Sequence, residues 1–420
     1  MEGLHLTADC FDCACAPALL TDEFQIRALL AKTIAASGLT IVGEHYHPFR
    51  DEQGNDAGVT AAVLLAESHV ALHTWPEKQA VTLDVYVCNF MHDNCAKARQ
   101  ALHDLVQAFQ PANTLQAELQ RGTPQTQMVR ERLSAHSHWG TTLTSTLVNR
   151  HSEFQQIEIA QSAEFGKVMR LDGAMMTSEK DEFFYHESLV HPAAITHPAP
   201  RSALIIGGGD GGACEELLKH PSIEKIVLCE IDAAVVEVAQ QHLQQIHHGA
   251  LDHPKLEKIH ADGFAYISLS AEQFDLILLD LTDPEAPDGS TLAATCMTSQ
   301  FFADCQARLS SDGMLVLHLG SPVYHAMRFQ HTLEQLASVF SCIRPYTVFI
   351  PLYGALWGMA VASNNADPCR LDTTTVKQRL KQRGVGNLNY YNPAVHGALF
   401  ALPNYVEALL PTSIKTQESS

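Results

Sequence analysis

The 420 residues carry 27 Lys plus Arg against 47 Asp plus Glu, a formal charge of −20, with 46% hydrophobic and 18% charged residues. That length exceeds one ordinary core and that composition is globular rather than disordered, so two folded domains are expected. The acidic balance argues against nucleic acid, whose phosphates need clustered cations, and is compatible with a cationic substrate drawn into acidic clefts.

Strand patterning opens the chain at 4–10, followed by a helix over 22–37 in which Ile26, Leu29, Leu30 and Ile34 recur at helical period. Strands are predicted at 39–46, 58–66, 69–74 and 80–87, and a second helix at 92–108. Residues 1–112 therefore read as an α+β two-layer sandwich with helices on one face of a largely antiparallel sheet. The stretch 113–138 is polar and weakly patterned and reads as a linker. Short β-rich runs over 139–195 predict a small β domain. Then SALIIGGGDGGACEELLKH gives strand, glycine turn and helix, and KIVLCEID, LEKIHADGFAYI, FDLILLDLTDP and GMLVLHLG continue the alternation. That pattern predicts a Rossmann-like doubly wound α/β domain over 196–410, with 411–420 as a flexible tail.

No leader of basic then apolar residues and no run of 18 apolar residues occurs, so no membrane association is expected and the expected location is cytoplasmic. The 11 cysteines lack a second CxxC at zinc-ribbon spacing and the 23 histidines contain no HExxH, so no metal is expected.

Residues 67–77, ESHVALHTWPE, gather a hydroxyl, two imidazoles, an indole and two carboxylates on one predicted strand. A serine in a strained turn can attack the preceding carbonyl and convert its amide to an ester. Elimination then leaves dehydroalanine, which hydrolyses to a pyruvoyl group at a new N-terminus. Such a carbonyl is an electron sink for amine decarboxylation, and a thiol on an adjacent strand could return the proton. Taken alone, Ser68, His73 and Cys88 are each better explained as a structural serine, a surface histidine and a buried cysteine.

The segment GVTAAVLLAESHVALHTWPEKQAVTLDVYVC (58–88) resembles the self-processing S-adenosylmethionine decarboxylases of the short prokaryotic type, as does LHLTADCFDC near the start. The resemblance implies cleavage between Glu67 and Ser68, a pyruvoyl cofactor derived from Ser68, help in processing from His73, and proton return from Cys88. Thr60 stands where that family usually has a serine that assists processing, and 51–57 is a longer, more polar approach than usual. Relatives with the same cofactor chemistry act on ornithine or arginine, which keeps those substrates open, as it does an unprocessed regulatory role.

Further on, GGGDGG (207–212), Glu230 and Asp262–Gly263 fit a dinucleotide site or an S-adenosylmethionine methyltransferase equally well. DLTDP (280–284) adds two carboxylates three apart at a strand's C-terminal end, a pairing suited to a diamine and to accepting a proton from an attacking nitrogen. Across 151–360, EFQQIEI, FGKVMRLDGAMMTSEKDEFFYHE, IIGGGDGG, EID, ADGF, DLTDP and IPLYG resemble, in that order, the aminopropyltransferases, most nearly spermidine synthase. This implies that Gln155, Asp210, Glu230, Asp262, Gly263 and Pro287 hold decarboxylated S-adenosylmethionine. Tyr185, His186, Asp283 and Tyr353 would line the amine channel, with Asp280 as the base. Ala286 replaces a glycine usual in the family, leaving cadaverine, agmatine or a longer polyamine open beside putrescine. The two resemblances together imply a bifunctional polyamine enzyme, homodimeric or larger, whose first site makes the donor for its second.

Overall fold

The computed structural model describes residues 3–90, 92–122, 127–281 and 297–415. It divides into two compact units between Gln125 and Thr126. No described helix is long and apolar enough to cross a membrane.

Unit one is a six-stranded antiparallel sheet ordered β2-β3-β4-β5-β1-β6, built from β1 (Gly3–Cys13), β2 (Ile41–Arg50), β3 (Asp56–Leu65), β4 (Ser68–Trp75), β5 (Ala80–Cys88) and β6 (Pro111–Arg121). Alternation decides its inner face: Leu4, Leu6 and Ala8, then Val70 and Leu72, then Val81, Leu83 and Val85 are all buried. Helices α1 (Glu23–Ala36) and α2 (Cys95–Phe109) bury Ile26, Leu30, Ile34, Leu105 and Phe109 into the same core. Asp22 starts α1 by accepting the Phe24 N–H at 2.8 Å.

The sequence-based linker at 113–138 is corrected here. Residues 111–121 are β6, paired with β1 from Pro111 to Arg121, and β7 (Gln127–Arg132) belongs to the next sheet. β6 is an edge strand exposed along almost its whole length. With neither face covered, nothing selects the apolar alternation by which a strand is recognised.

Unit two begins with a five-stranded antiparallel sheet, β11-β10-β9-β8-β7, where β8 is His138–His151, β9 Gln156–Ser162, β10 Gly166–Leu171 and β11 Ala174–Ser178. Helix α3 (Glu182–Thr196) follows, buried along nearly its full length. The main sheet has seven strands: β12 (Ser202–Gly207), β13 (Lys225–Cys229), β14 (Leu256–Ile259), β15 (Phe274–Asp280), β16 (Leu309–Gly320), β17 (Cys342–Ile350) and β18 (Ala355–Ser363). Their order is β14-β13-β12-β15-β16-β18-β17, parallel through β16 and antiparallel beyond. The chain winds outward from β12 to β14, then crosses to β15 on the other side. The crevice at the C-terminal ends of β12 and β15 is thus the topological switch point where ligands bind in such sheets.

The expected flexible tail is also corrected. Thr412–Lys415 forms a helical turn, and Ile414 packs in one core with Val406 and Leu410. Their spacing of four is a helical stripe, masked in the sequence by Pro411. Residues 416–420 lie outside the described part.

One buried charge ties α3 to the C-terminal segment. Glu187 is fully buried and accepts the N–H groups of Asn389, Tyr390 and Tyr391 at 2.6, 2.9 and 2.6 Å. Glu187→Ala would take the acceptor from three backbone N–H groups, of which that of Tyr391 is buried. We expect a loss of about 3 kcal/mol or more, read as a lower denaturant midpoint for this unit at unchanged m-value.

Two candidate active sites

In unit one the β3–β4 turn carries the first site. Ser68 has φ 145°, a region L-residues rarely adopt, so the turn holds strain at the predicted cleavage position. The Cys88 N–H donates to the Glu67 carbonyl at 2.9 Å. β5 therefore brings Cys88 alongside the Glu67–Ser68 peptide, and the register places Val87 opposite Ser68. Glu67 itself is held through its carboxylate, which accepts from Asn94 Nδ2 at 2.7 Å.

His73 is elsewhere. It stands five residues along β4 from Ser68, about 16 Å at the usual strand rise, so within one chain its imidazole does not reach Ser68. Its neighbour is Thr60, across the β3–β4 ladder, with Oγ1 and Nδ1 2.7 Å apart. The four predicted residues thus form two pairs, Ser68 with Cys88 and His73 with Thr60. Asn94 was not foreseen in the sequence.

In unit two the glycine turn after β12 approaches the end of β15 closely. Gly208 N–H donates to Asp280 O at 2.8 Å, and a Cβ on Gly207 would lie 2.2 Å from that same oxygen. Gly212 is required for another reason: a Cβ there would fall 2.2 Å from the His186 ring. The glycines thus let Asp210, His186 and Asp280 converge, with one donor atom from each within 4.8 Å of the others.

His186 Nδ1 is 2.7 Å from Glu182 and its Nε2 is 3.5 Å from Asp210. Burial alone would favour neutral imidazole, but Asp210 and Glu182 outweigh it and hold the ring well above its ordinary pKa. Asp210 is held low in spite of burial by the same imidazolium. Asp280 is pushed up to about 6 by burial and by Asp210. The Tyr185 hydroxyl lies beside it, while its buried Oδ2 has no hydrogen-bond partner.

On the other side of the crevice, Glu230 follows β13 and is pushed up to about 7 by burial. Its Oε1 accepts from Asp232 N at 2.9 Å. Gln155 Nε2 donates to Asp232 Oδ2 at 3.0 Å, so the turn between β8 and β9 reaches this corner. Asp262 is exposed and uses Oδ1 to cap α4 (Gly263–Leu269) through the Phe264 N–H. Gly263 is buried where a Cβ would strike Ile206 at 2.2 Å. Asp283 and Pro287 lie outside the described residues.

A half-open pocket lies beside Tyr185, walled by Tyr353, Trp357, His318, Met175 and Glu131. Tyr353 is fixed by its hydroxyl on Met176 O at 2.7 Å. Glu131, on β7, accepts the Met175 N–H at 2.8 Å; it sits inside the stretch read as a linker, where MVRER gives only a faint alternation. Trp357 and His318 also escaped the sequence reading, since β16 and β18 look like uniform core.

Residues 182–372 match the spermine/spermidine synthase domain, 140–179 the spermidine synthase tetramerisation domain, and 4–122 the S-adenosylmethionine decarboxylase family. Over 267 residues the chain is 46% identical to the polyamine aminopropyltransferase of Nitrosomonas europaea, covering 64% of this chain and 81% of that relative. The chain belongs to the polyamine aminopropyltransferases. Another aminopropyltransferase, from Thermotoga maritima, is 38% identical over 267 residues, 63% of this chain and 87% of its own. Among solved structures, a spermidine synthase in complex with the transition state analogue AdoDATO superposes with a TM-score of 0.63 at 33% identity, covering 70% of this chain and 98% of that one. The Thermotoga maritima spermidine synthase gives 0.61 at 32%, covering 69% and 96%. With a decarboxylase domain ahead of its transferase domains, this aminopropyltransferase is a two-activity enzyme of polyamine biosynthesis.

Proposed function

We propose that unit one cleaves itself after Glu67 and decarboxylates S-adenosylmethionine through the resulting pyruvoyl group, and that unit two passes the aminopropyl group to putrescine. Supporting the first step is the strained Ser68 beside a carbonyl already bonded to the Cys88 N–H. The Ser68 hydroxyl adds to the Glu67 carbonyl carbon, and its proton passes to the departing amide nitrogen, giving an ester. Removal of the Ser68 Cα proton then breaks the Cβ–Oγ bond and frees the Glu67 carboxylate. The dehydroalanine left behind takes up water and loses ammonia. When formed, the pyruvoyl group supplies an electron sink for loss of CO₂ from an amine-bearing substrate, and Cys88 is placed to return a proton to the carbon CO₂ leaves.

His73, about 16 Å from its own Ser68 by strand rise, acts in this reading on Ser68 of a second copy, bringing Thr60 with it. That requires at least a homodimer.

In unit two, the buried and unpartnered Asp280 oxygen is a site for an ammonium. We read the Asp280, Asp210 and His186 cluster as amine-binding rather than metal-binding. The acceptor lies in the aromatic cavity, with the Glu131 carboxylate in its wall. Asp280 takes a proton from the attacking nitrogen, a C–N bond forms at the carbon beside the sulfonium, and the C–S bond breaks to release methylthioadenosine. Glu230 holds the ribose hydroxyls, with Gln155, Asp262 and Gly263 completing the donor side.

The test is direct. Supplied with carboxyl-labelled S-adenosylmethionine and a panel of diamines, the purified protein should release labelled CO₂ and form spermidine from putrescine faster than it extends cadaverine or agmatine. Release of CO₂ from ornithine or arginine instead would sink the decarboxylase half of the reading.

A further inference from the structure

Asn94 occupies the N-cap position of α2, yet its side chain caps nothing. Asparagine is favoured there because its oxygen takes up a free helix N–H. Here the oxygen accepts instead from Lys97 Nζ at 3.0 Å. Because a lysine ammonium can only donate, the amide is oriented with Nδ2 toward two acceptors. These are Glu67 Oε2 at 2.7 Å and the Cys88 carbonyl at 3.2 Å. The main chain of Asn94 is fixed as well, its N–H donating to Asn89 Oδ1 at 2.9 Å. The residue is buried.

We propose that Asn94 is a positioning residue for self-cleavage, clamping the Glu67 side chain to the Cys88 peptide so that the Cys88 N–H stays on the Glu67 carbonyl. This rests on the self-cleavage reading above. As the Ser68 oxygen adds, negative charge develops on the Glu67 carbonyl oxygen, and a donor already in place stabilises it without reorganisation. The Cys88 N–H is that donor at 2.9 Å, and one amide group holds both the residue that donates and the residue that accepts.

The experiment follows cleavage of the full-length chain in a cell-free translation and chase, by denaturing mass measurement. Aspartate caps a helix as well as asparagine does, but an ionised Asn94→Asp side chain cannot donate and faces Glu67 with like charge. We expect its cleavage half-time to lengthen at least tenfold. The Glu67→Gln, Asn94→Asp double variant restores the bond between positions 67 and 94 with its direction reversed but not the bond to the Cys88 carbonyl, and we expect it to cleave at least threefold faster than Asn94→Asp yet slower than the wild type. Unchanged cleavage in Asn94→Asp, or a double variant as slow as the single, overturns the proposal while leaving self-cleavage intact. A wild-type chain that stays whole overturns both.

Discussion

Ser68→Ala is expected to stay whole at 46.0 kDa under denaturing conditions, where the wild type should separate into two fragments divided after Glu67. Alanine keeps the backbone and its strain at φ 145° but lacks the oxygen that attacks, so cleavage and decarboxylation are both lost. Aminopropyl transfer persists when decarboxylated donor is supplied, because unit two contains its own site. His73→Ala alone should also remain essentially uncut. Co-expressing the two variants with distinguishable tags separates the cis and trans roles. The His73→Ala chain still owns Ser68, and its Ser68→Ala partner still owns His73. If the imidazole comes from a second copy, the His73→Ala chain is cut in the mixed assembly. Cleavage absent from every mixed preparation would defeat the two-copy site.

For unit two, Asp280→Asn should lower kcat/KM for aminopropyl transfer by about 10²–10⁴-fold, the usual cost of removing a general base. Asparagine is isosteric and Asp280 lies outside the donor-holding residues, so affinity for the decarboxylated donor should hold. The sign of the pH dependence follows from its environment. Burial and Asp210 raise Asp280 to about 6, and the base works only when ionised. Activity of the wild type is therefore present above that value and falls as pH drops through it. Residual activity in the variant should lack that acid limb. A limb that survives unchanged in Asp280→Asn would assign it to another group and remove Asp280 from the role.

Sequence legibility tracked how local the determining chemistry was. The glycine turn, Glu230 and Asp280 could be read because a tight turn, a strand end and a crevice follow one another within short stretches of chain. Glu131 could not, since its value depends on β7 pairing with β8 and bringing it into the wall of the pocket that Tyr353 and Trp357 also line. Asn94 was equally hidden: its partner Glu67 is 27 residues away, and alone it looks like any helix cap. β6 was lost for want of a covered face. His73 shows the opposite failure. Its place in a motif five residues from Ser68 suggests proximity, whereas strand geometry puts the two side chains at opposite ends of β4.

The strand order of unit one bears on what the cut does to the protein's life history. The shorter fragment owns β1, β2 and β3. Of these β1 lies between β5 and β6, paired along Gly3–Cys10 with one and to Cys13 with the other, while β3 is laddered to β4. The proposed cleavage would therefore release nothing, and the two pieces would stay interleaved. In the uncut chain the inner strand β1 finds its slot between β5 and β6 as part of the same molecule; after the proposed cut it would have to do so as a separate solute, without the effective concentration a covalent link provides. Refolding of a processed chain would thus be second order and dilution-sensitive, where refolding of the uncut chain is not.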